Sequence, residues 1–343
     1  DGEVLEIEGR AFDAAAFAGA TGAEQLAQAP PVFGSSAIIL TALDLPILYT
    51  RPEVAVWDGY LAAHAQPFPG GVDVIRATTS GGAGAGLGLE ARTMIGETVA
   101  PVAPGRPWTW DETGAVEVLV YSGAPLGRPR AEVLAGRNVV ALDHGDDWEI
   151  LQFAEAELIG ANTWRLTDLV RGARGTETLA AQSLPAGARV VFLSGAVEAA
   201  GLAAEEVGRP QVLRYGPAGA DPITFAEQTH TFRGVGRRPF APARLAAEEQ
   251  GGDTVLTWAR RARSAGGFTI STAPPLGEAT ESYRVEIGPE GAPVRVETTA
   301  APAFTYTAAM QTADGVSAPF EVRVAQVSET WGAGTPATLT VET

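Results

Sequence analysis

The 343-residue chain contains neither cysteine nor lysine. Without thiols there is no disulfide and no thiolate zinc site, and composition carries no mark of a redox compartment. Without lysine there is no Walker-type phosphate loop, which needs Gly-Lys-Ser/Thr. All 24 basic residues are arginine, set against 41 acidic ones, for a net charge of −17. Such an acidic chain repels nucleic acid unless a local basic face exists, so no nucleic-acid partner is expected. No apolar run reaches the roughly 18 residues of a membrane-spanning helix, so no span is expected. The first residue is Asp, not Met, and no leader-like segment follows. The chain is therefore expected to be a piece of a longer polypeptide.

What is present is a great deal of strand. Hydrophobic residues make up 45%, enough for a substantial core in two or three domains. The 41 glycines and 24 prolines are spread along the chain, as suits many short elements joined by turns. Alternating runs recur at 37–50, 72–79, 115–123, 137–143, 148–160, 163–170 and 188–195. Helix is a minority. AFDAAAFAGATGAEQLAQA (11–29) has helix-forming composition weakened by Gly19 and Gly22, and 201–208 allows one or two turns. The fold class is all-β and multi-domain, with sandwich- or barrel-like domains. Pro/Gly-rich segments at 104–114 and 234–245 divide it into domains 1–110, 111–237 and 238–343. No internal repeat is visible.

The last hundred residues read as seven short strands, at 243–249, 254–261, 282–288, 293–299, 304–309, 320–328 and 337–342. Trp258 and Tyr283 fall where facing strands supply core aromatics. This stretch resembles a fibronectin type III domain. It has Pro at its start, Trp on the second strand, Tyr on the third and a late V-R-V-x-x-V-S strand. It departs at Phe320, where the family usually has a tyrosine that closes a corner hydrogen bond. The resemblance implies a spacer or binding module rather than a catalyst.

Chemistry-bearing motifs are weak. SGGAGAGLGLEAR (80–92) spaces its glycines as G-x-G-x-G-x-G, not as the dinucleotide fingerprint, and reads as a flexible hairpin loop. DHGDDWE (143–149) gathers five titratable side chains that could hold calcium, but its order does not match a calcium loop and a polar hairpin turn is the better reading. His64, His144 and His230 are isolated and read as surface or lightly buried residues. No nucleophile elbow is present. Among 41 acidic residues nothing singles out a glycosidase pair. No catalytic residue, cofactor or metal site is assigned. Trp57, Trp108, Trp110 and Trp331, with Tyr60, could stack on sugar rings, against the alternative of core or interface packing.

RLTDLVRGARGTET (165–178) places three arginines around a glycine-rich bend. It reads as a strand and a turn that Gly172 and Gly175 permit, with Arg171 and Arg174 fixing a fold or an interface. LVRGARGTE (169–177) followed by GARVVFLSG (187–195) resembles a recurrent segment of large phage tail-tip proteins. DLPILYT (44–50) and HAQPFPGGVDVIRATT (64–79), with Phe68 where Trp is usual, agree with it, as does RRPFAPARL leading into DTVLTWARRAR (253–263). In that order the motifs resemble the C-terminal portion of the host-specificity or "megatron" baseplate protein of gene transfer agents and related siphophage-like tails. The resemblance implies a structural role at the tail tip of a virion-like particle made in the bacterial cytoplasm. It implies a homotrimer bound to other tail and baseplate proteins, in contact with recipient cell-surface polysaccharide. Family members are longer and carry a hydrolase-like barrel upstream; the resemblance supplies no catalytic residue here. The alternatives are a carbohydrate-binding module recognising capsule or lipopolysaccharide, and an envelope-degrading hydrolase.

Overall fold

The structure is a computed structural model that describes residues 37–48, 53–263 and 276–342. The helix expected at 11–29 and the last two residues of DLPILYT lie outside them. Strands dominate, as the alternation predicts, and the all-β, multi-domain reading holds.

The described chain opens with β1 (Ile39–Leu43) and β2 (Tyr60–His64), then β3 (Val72–Ala77) and β4 (Ala85–Leu89). The glycine-rich run at 80–92 is thus only partly loop. Its second half is an edge strand in antiparallel register with β3, Ile75 opposite Gly86 and Asp73 opposite Gly88. Glycine weakens a strand but does not end one whose ladder a neighbour supplies.

The chain next builds a closed six-stranded barrel from β5 (Ile95–Thr98), β6 (Asp111–Val120), β7 (Val139–Asp143), β8 (Trp148–Gly160), β9 (Thr163–Ala173) and β10 (Arg189–Phe192). The order is β10-β5-β6-β9-β8-β7, closed by the antiparallel pairing of β7 with β10. Two short helices interrupt it, α1 (Arg130–Leu134) and α2 (Glu177–Ala180). The boundary expected at 110/111 falls inside this barrel, since β5 precedes it and β6 follows. The chain then returns to its first strands. β11 (Glu198–Ala199) joins β2, while β12 (Pro210–Pro217) and β13 (Ala226–Thr231) complete the sheet β13-β12-β3-β4. Residues 201–208 hold a single 3-10 turn at 204–206.

Period-two alternation explains why barrel strands read as unbroken apolar runs. On β10, Val190 and Phe192 point into the barrel core with Val118, Leu151, Phe153 and Leu166. Val191, between them, points outward against Leu43, Tyr60, Ile95, Ala141 and Ile150. Both faces of this wall are buried, so apolar side chains occupy successive positions along it.

The C-terminal sandwich has one sheet of β14 (Ala243–Gln250), β15 (Asp253–Ala259) and β18 (Ala303–Tyr306). The other has β16 (Tyr283–Ile287), β17 (Arg295–Thr299) and β19 (Phe320–Ser328), with β20 (Gly332–Ala333) and β21 (Ala337–Val341) both paired to β19. Trp258 and Tyr283 meet edge to face across the sheets, 5.2 Å between centroids. Between β18 and β19 the sequence conceals a helix, α3 (Ala308–Asp314), N-capped by Thr307 and closed by left-handed Gly315. Phe320 packs edge to face on Tyr306 at 5.7 Å. The Tyr306 hydroxyl donates to Asp314 at 2.9 Å, and Arg295 grips the same carboxylate at 2.6 and 2.9 Å. A different tyrosine therefore ties down the connection that Phe320 cannot.

Phe153→Ala leaves a cavity at the centre of the barrel, and urea denaturation is expected to show a loss of about 3–5 kcal/mol.

Candidate functional site

The end of β9 is the most densely connected part of the chain. Arg171 is 2% exposed and Glu149, on the adjacent strand β8, is fully buried. They form a two-pronged pair, Nε to Oε1 at 2.6 Å and Nη2 to Oε2 at 2.8 Å. The Gly172 N–H also donates to Glu149, at 3.2 Å, and Arg171 Nη1 donates to the Ala103 carbonyl at 3.1 Å. His144 Nε2 lies 3.5 Å from the same carboxylate. Burial acts to raise the Glu149 carboxyl, but hydrogen bonds from Arg171 and His144 outweigh it and hold the group below its ordinary value. Such a pair withstands desolvation because both charges keep nearly full hydrogen bonding.

The motif continues with two glycines that do different work. Gly172 has φ +62°, and a Cβ there would lie 2.7 Å from the Glu177 Cα, so α2 folds directly back on the strand. Thr176 locks that fold: its hydroxyl donates to the Ala173 carbonyl at 2.7 Å and accepts from the Ile150 N–H at 3.0 Å. Gly175 has φ +84°, and a Cβ there would sit 2.3 Å from the Phe240 ring. Phe240 belongs to the linker before the sandwich and fills this hollow. Arg174 takes a left-handed backbone, φ 63°, and burial lowers its guanidinium to about 9.

Glu177 then receives the sandwich. Arg261, just beyond β15, donates to its carboxylate at 2.7 Å and to the Ala241 carbonyl at 3.1 Å. The same guanidinium lies 4.0 Å from the Trp108 centroid and 5.0 Å from that of Phe240. In nine residues, LVRGARGTE supplies one half of a buried ion pair, the hollow for the linker and the acceptor for the sandwich.

DHGDDWE is the hairpin turn between β7 and β8, but its carboxylates serve three roles that spacing did not separate. Asp147 binds Arg233 at 2.6 Å and Arg238 at 3.1 Å, holding the linker's start against the barrel. Burial pushes its carboxyl up, and the two arginines carry it below the usual range. Asp143 caps the turn through the Gly145 N–H at 2.8 Å, and Glu149 is the buried partner of Arg171. Among the described residues no group of three or more His, Asp and Glu could hold a metal ion, and no helix is long and apolar enough to cross a membrane.

Each tryptophan considered for glycan stacking carries an arginine over its ring. Arg237 covers Trp57 at 5.5 Å, Arg130 covers Trp110 at 4.8 Å and Arg238 covers Trp331 at 5.7 Å, beside the Arg261–Trp108 stack. Trp57 is also anchored by its Nε1, which donates to the Leu202 carbonyl at 3.0 Å. Trp108 remains 65% exposed on its other side. Trp258 and Tyr283 belong to the sandwich core. The histidines are more buried than their isolation in sequence suggested. His64 is 3% exposed and pairs through Nδ1 with the Thr93 carbonyl at 3.0 Å, and the His144 side chain is 5% exposed. Sequence reasoning missed the partners altogether: Glu149 for Arg171, Asp147 for the linker, and Arg261. It also missed Arg76, buried and bound to the Ala200 carbonyl at 3.1 Å and to Glu206 at 2.8 Å.

Four outcomes follow from this geometry, the first two on the buried pair. Arg171→Ala and Glu149→Ala each strand a buried charge and are expected to cost about 3–5 kcal/mol, with the double variant costing clearly less than the sum. The Glu149 carboxyl is depressed in the folded state, so its stabilisation is complete above the unfolded value of 4.5 and fades as pH falls through the lower folded value. Urea titrations of the single and double variants from neutral to acid pH check both statements. Gly175→Ala strains a left-handed backbone by about 1–3 kcal/mol and collides with Phe240, and Phe240→Ala in the same chain is expected to restore part of the loss. Small-angle scattering of Arg261→Ala should show a larger radius of gyration as the sandwich comes free of the barrel.

A family model described as "Rcc01698-like, C-terminal", a Rhodobacter gene-transfer-agent-associated family, matches residues 93–191. Those residues run from just before β5 to β10 and contain the whole LVRGARGTE motif. No curated protein matches the chain. The chain is thus similar, over its barrel, to a gene-transfer-agent-associated family.

Proposed function

We propose that the chain is a structural segment of a phage-like, gene-transfer-agent type tail tip, where it joins neighbouring tail and baseplate proteins and takes part in attachment to the recipient cell surface. The observation that carries this reading is the family match over 93–191, which coincides with the barrel and its motif. The use made of the charged residues supports it. Arg171, Glu149, Glu177, Asp147 and Arg261 are committed to pairs that hold barrel, linker and sandwich together, which suits a part that bears load rather than one that turns over substrate. The β8–β9 hairpin supports assembly as well. It carries Leu158, 59% exposed, and Ile159, 37% exposed, near its tip, as a surface that meets another protein would. On this reading the particle holds the chain as a homotrimer, and contact with surface polysaccharide belongs to the assembled tip. Attachment of sugars by the tryptophans alone is the weaker alternative, since an arginine occupies one face of each candidate ring.

Electron microscopy of purified particles, labelled with antibody raised against residues 240–343, tests the reading. Label confined to the tail tip is the expected result. Unlabelled particles, with the protein recovered free in the cytosol, would remove it.

A further inference from the structure

We propose that β17 is a self-pairing edge, through which two copies of this chain join antiparallel about a two-fold axis at Val296. Among the described residues β17 pairs with β16 alone, so its other side is an open edge of the sandwich. The ladder fixes which groups that edge presents. The Ile287 carbonyl accepts from the Val294 N–H on the β17 side, while the Gly288 N–H donates to the Glu321 carbonyl on the β19 side. Alternate residues of a strand turn their backbone groups to opposite sides. Arg295, Glu297 and Thr299, opposite Ile287, Val285 and Tyr283, therefore bond to β16, and Val296 and Thr298 turn theirs outward. Side chains alternate as well. Val294 is 50% exposed and Val296 44%, and both share the outer face with exposed Thr298. Charges commonly guard an edge, but here they are turned to the inner face and tied down. Arg295 donates to Asp314 at 2.6 and 2.9 Å and to Glu297 at 2.7 Å.

The residues of the edge choose a second copy as its occupant. With the axis at Val296, the outward-bonding residues of both copies meet: Val296 faces Val296 and each Val294 faces Thr298. On the inner face each Arg295 stands opposite the second copy's Glu297, so charges of opposite sign alternate across the seam. Moving the axis by one residue destroys this match. At Glu297 it sets two carboxylates against each other, and at Arg295 two guanidinium groups, both unfavourable when directly opposed. A foreign strand would have to supply the same order of apolar, basic and acidic residues, which the edge of an identical chain already carries. The contact is isologous, and a two-fold contact cannot close the threefold ring of the tail-tip reading, so the pairing does not depend on that reading.

Sedimentation velocity of the full chain, from about 10 µM to about 1 mM, tests the proposal. A dimer that grows with concentration is expected, weak because one strand pair is a small interface. Val296→Arg sets two like charges at the axis and is expected to weaken the dimer at least about tenfold while leaving the urea midpoint unchanged, since the side chain is exposed. The chain has no cysteine, so introduced ones read the register directly. Val296→Cys places its two sulfurs on residues whose Cα atoms stand about 5.5 Å apart, within disulfide reach, and mild oxidation is expected to give a covalent dimer. Val294→Cys alone leaves its copies about 13 Å apart along the strands and should not cross-link, but should do so when mixed with Thr298→Cys. A chain that stays monomeric at millimolar concentration would overturn the proposal. So would a dimer indifferent to Val296→Arg, or Val294→Cys cross-linking alone as readily as Val296→Cys.

Discussion

A guanidinium and a carboxylate buried side by side are costly to bring out of water, and Arg171 and Glu149 meet that cost through shared geometry rather than proximity alone. Two parallel hydrogen bonds, a backbone N–H and a carbonyl complete the set. Because the pair spans β8 and β9, it fixes where β9 ends. The position of that end sets Gly172, the fold-back into α2, the hollow at Gly175 and the orientation of Glu177. The attitude of the C-terminal sandwich, held at Glu177 by Arg261, therefore follows from a pair inside the barrel.

The surface where barrel, linker and sandwich meet is built almost entirely from arginine. A guanidinium is flat, so it can lie on an indole ring while its edge donates to a carboxylate, as Arg261 does with Trp108 and Glu177. An ammonium has no flat face and forms no fork, and lysine at these positions would keep the charge but lose the stack. The absence of lysine and the pairing of tryptophan with arginine are therefore compatible features of one chain, whatever the origin of the composition. Phe240 is an apolar anchor of this junction, and the charge and stacking beside it are weakened by salt more than packed apolar surface is.

Much of the fold could be read from the sequence, for physical reasons that also mark the limits. Long alternating runs such as FEVRVAQVS and WEILQFAEAELIG became strands because period two is a strong signal. Strands β12 and β13 were passed over because YGPAG and AEQTHT carry little apolar alternation. Helix α3 was missed because AAMQTAD follows a strand with no break, and Thr307 as its cap becomes evident only once the backbone turns. The site was legible in part. The glycines of RGARGTE announced a turn, and its arginines announced pairing. The partner of Arg171, Glu149, lies 22 residues away, and the partner of Glu177, Arg261, lies 84 away. Nothing in local spacing can supply a partner that tertiary folding chooses. Asp147 and Glu149 stand two apart, the spacing at which strand residues share a face, yet one binds the linker and the other is buried against Arg171, because Asp147 lies in the turn and Glu149 within β8.

The doubly buried barrel wall has a consequence for where this protein can be divided. Residues matched by the family model end at Val191, whose side chain points away from the barrel and into the neighbouring core. Cut at those limits, the barrel would lose Phe192 from its interior and present Ile95, Ala141, Ile150 and Val191 to water as one greasy stripe. The unit that sequence comparison recognises is smaller than the unit that physics would let fold, and β1 and β2 belong to the barrel's stability although they lie outside its strands.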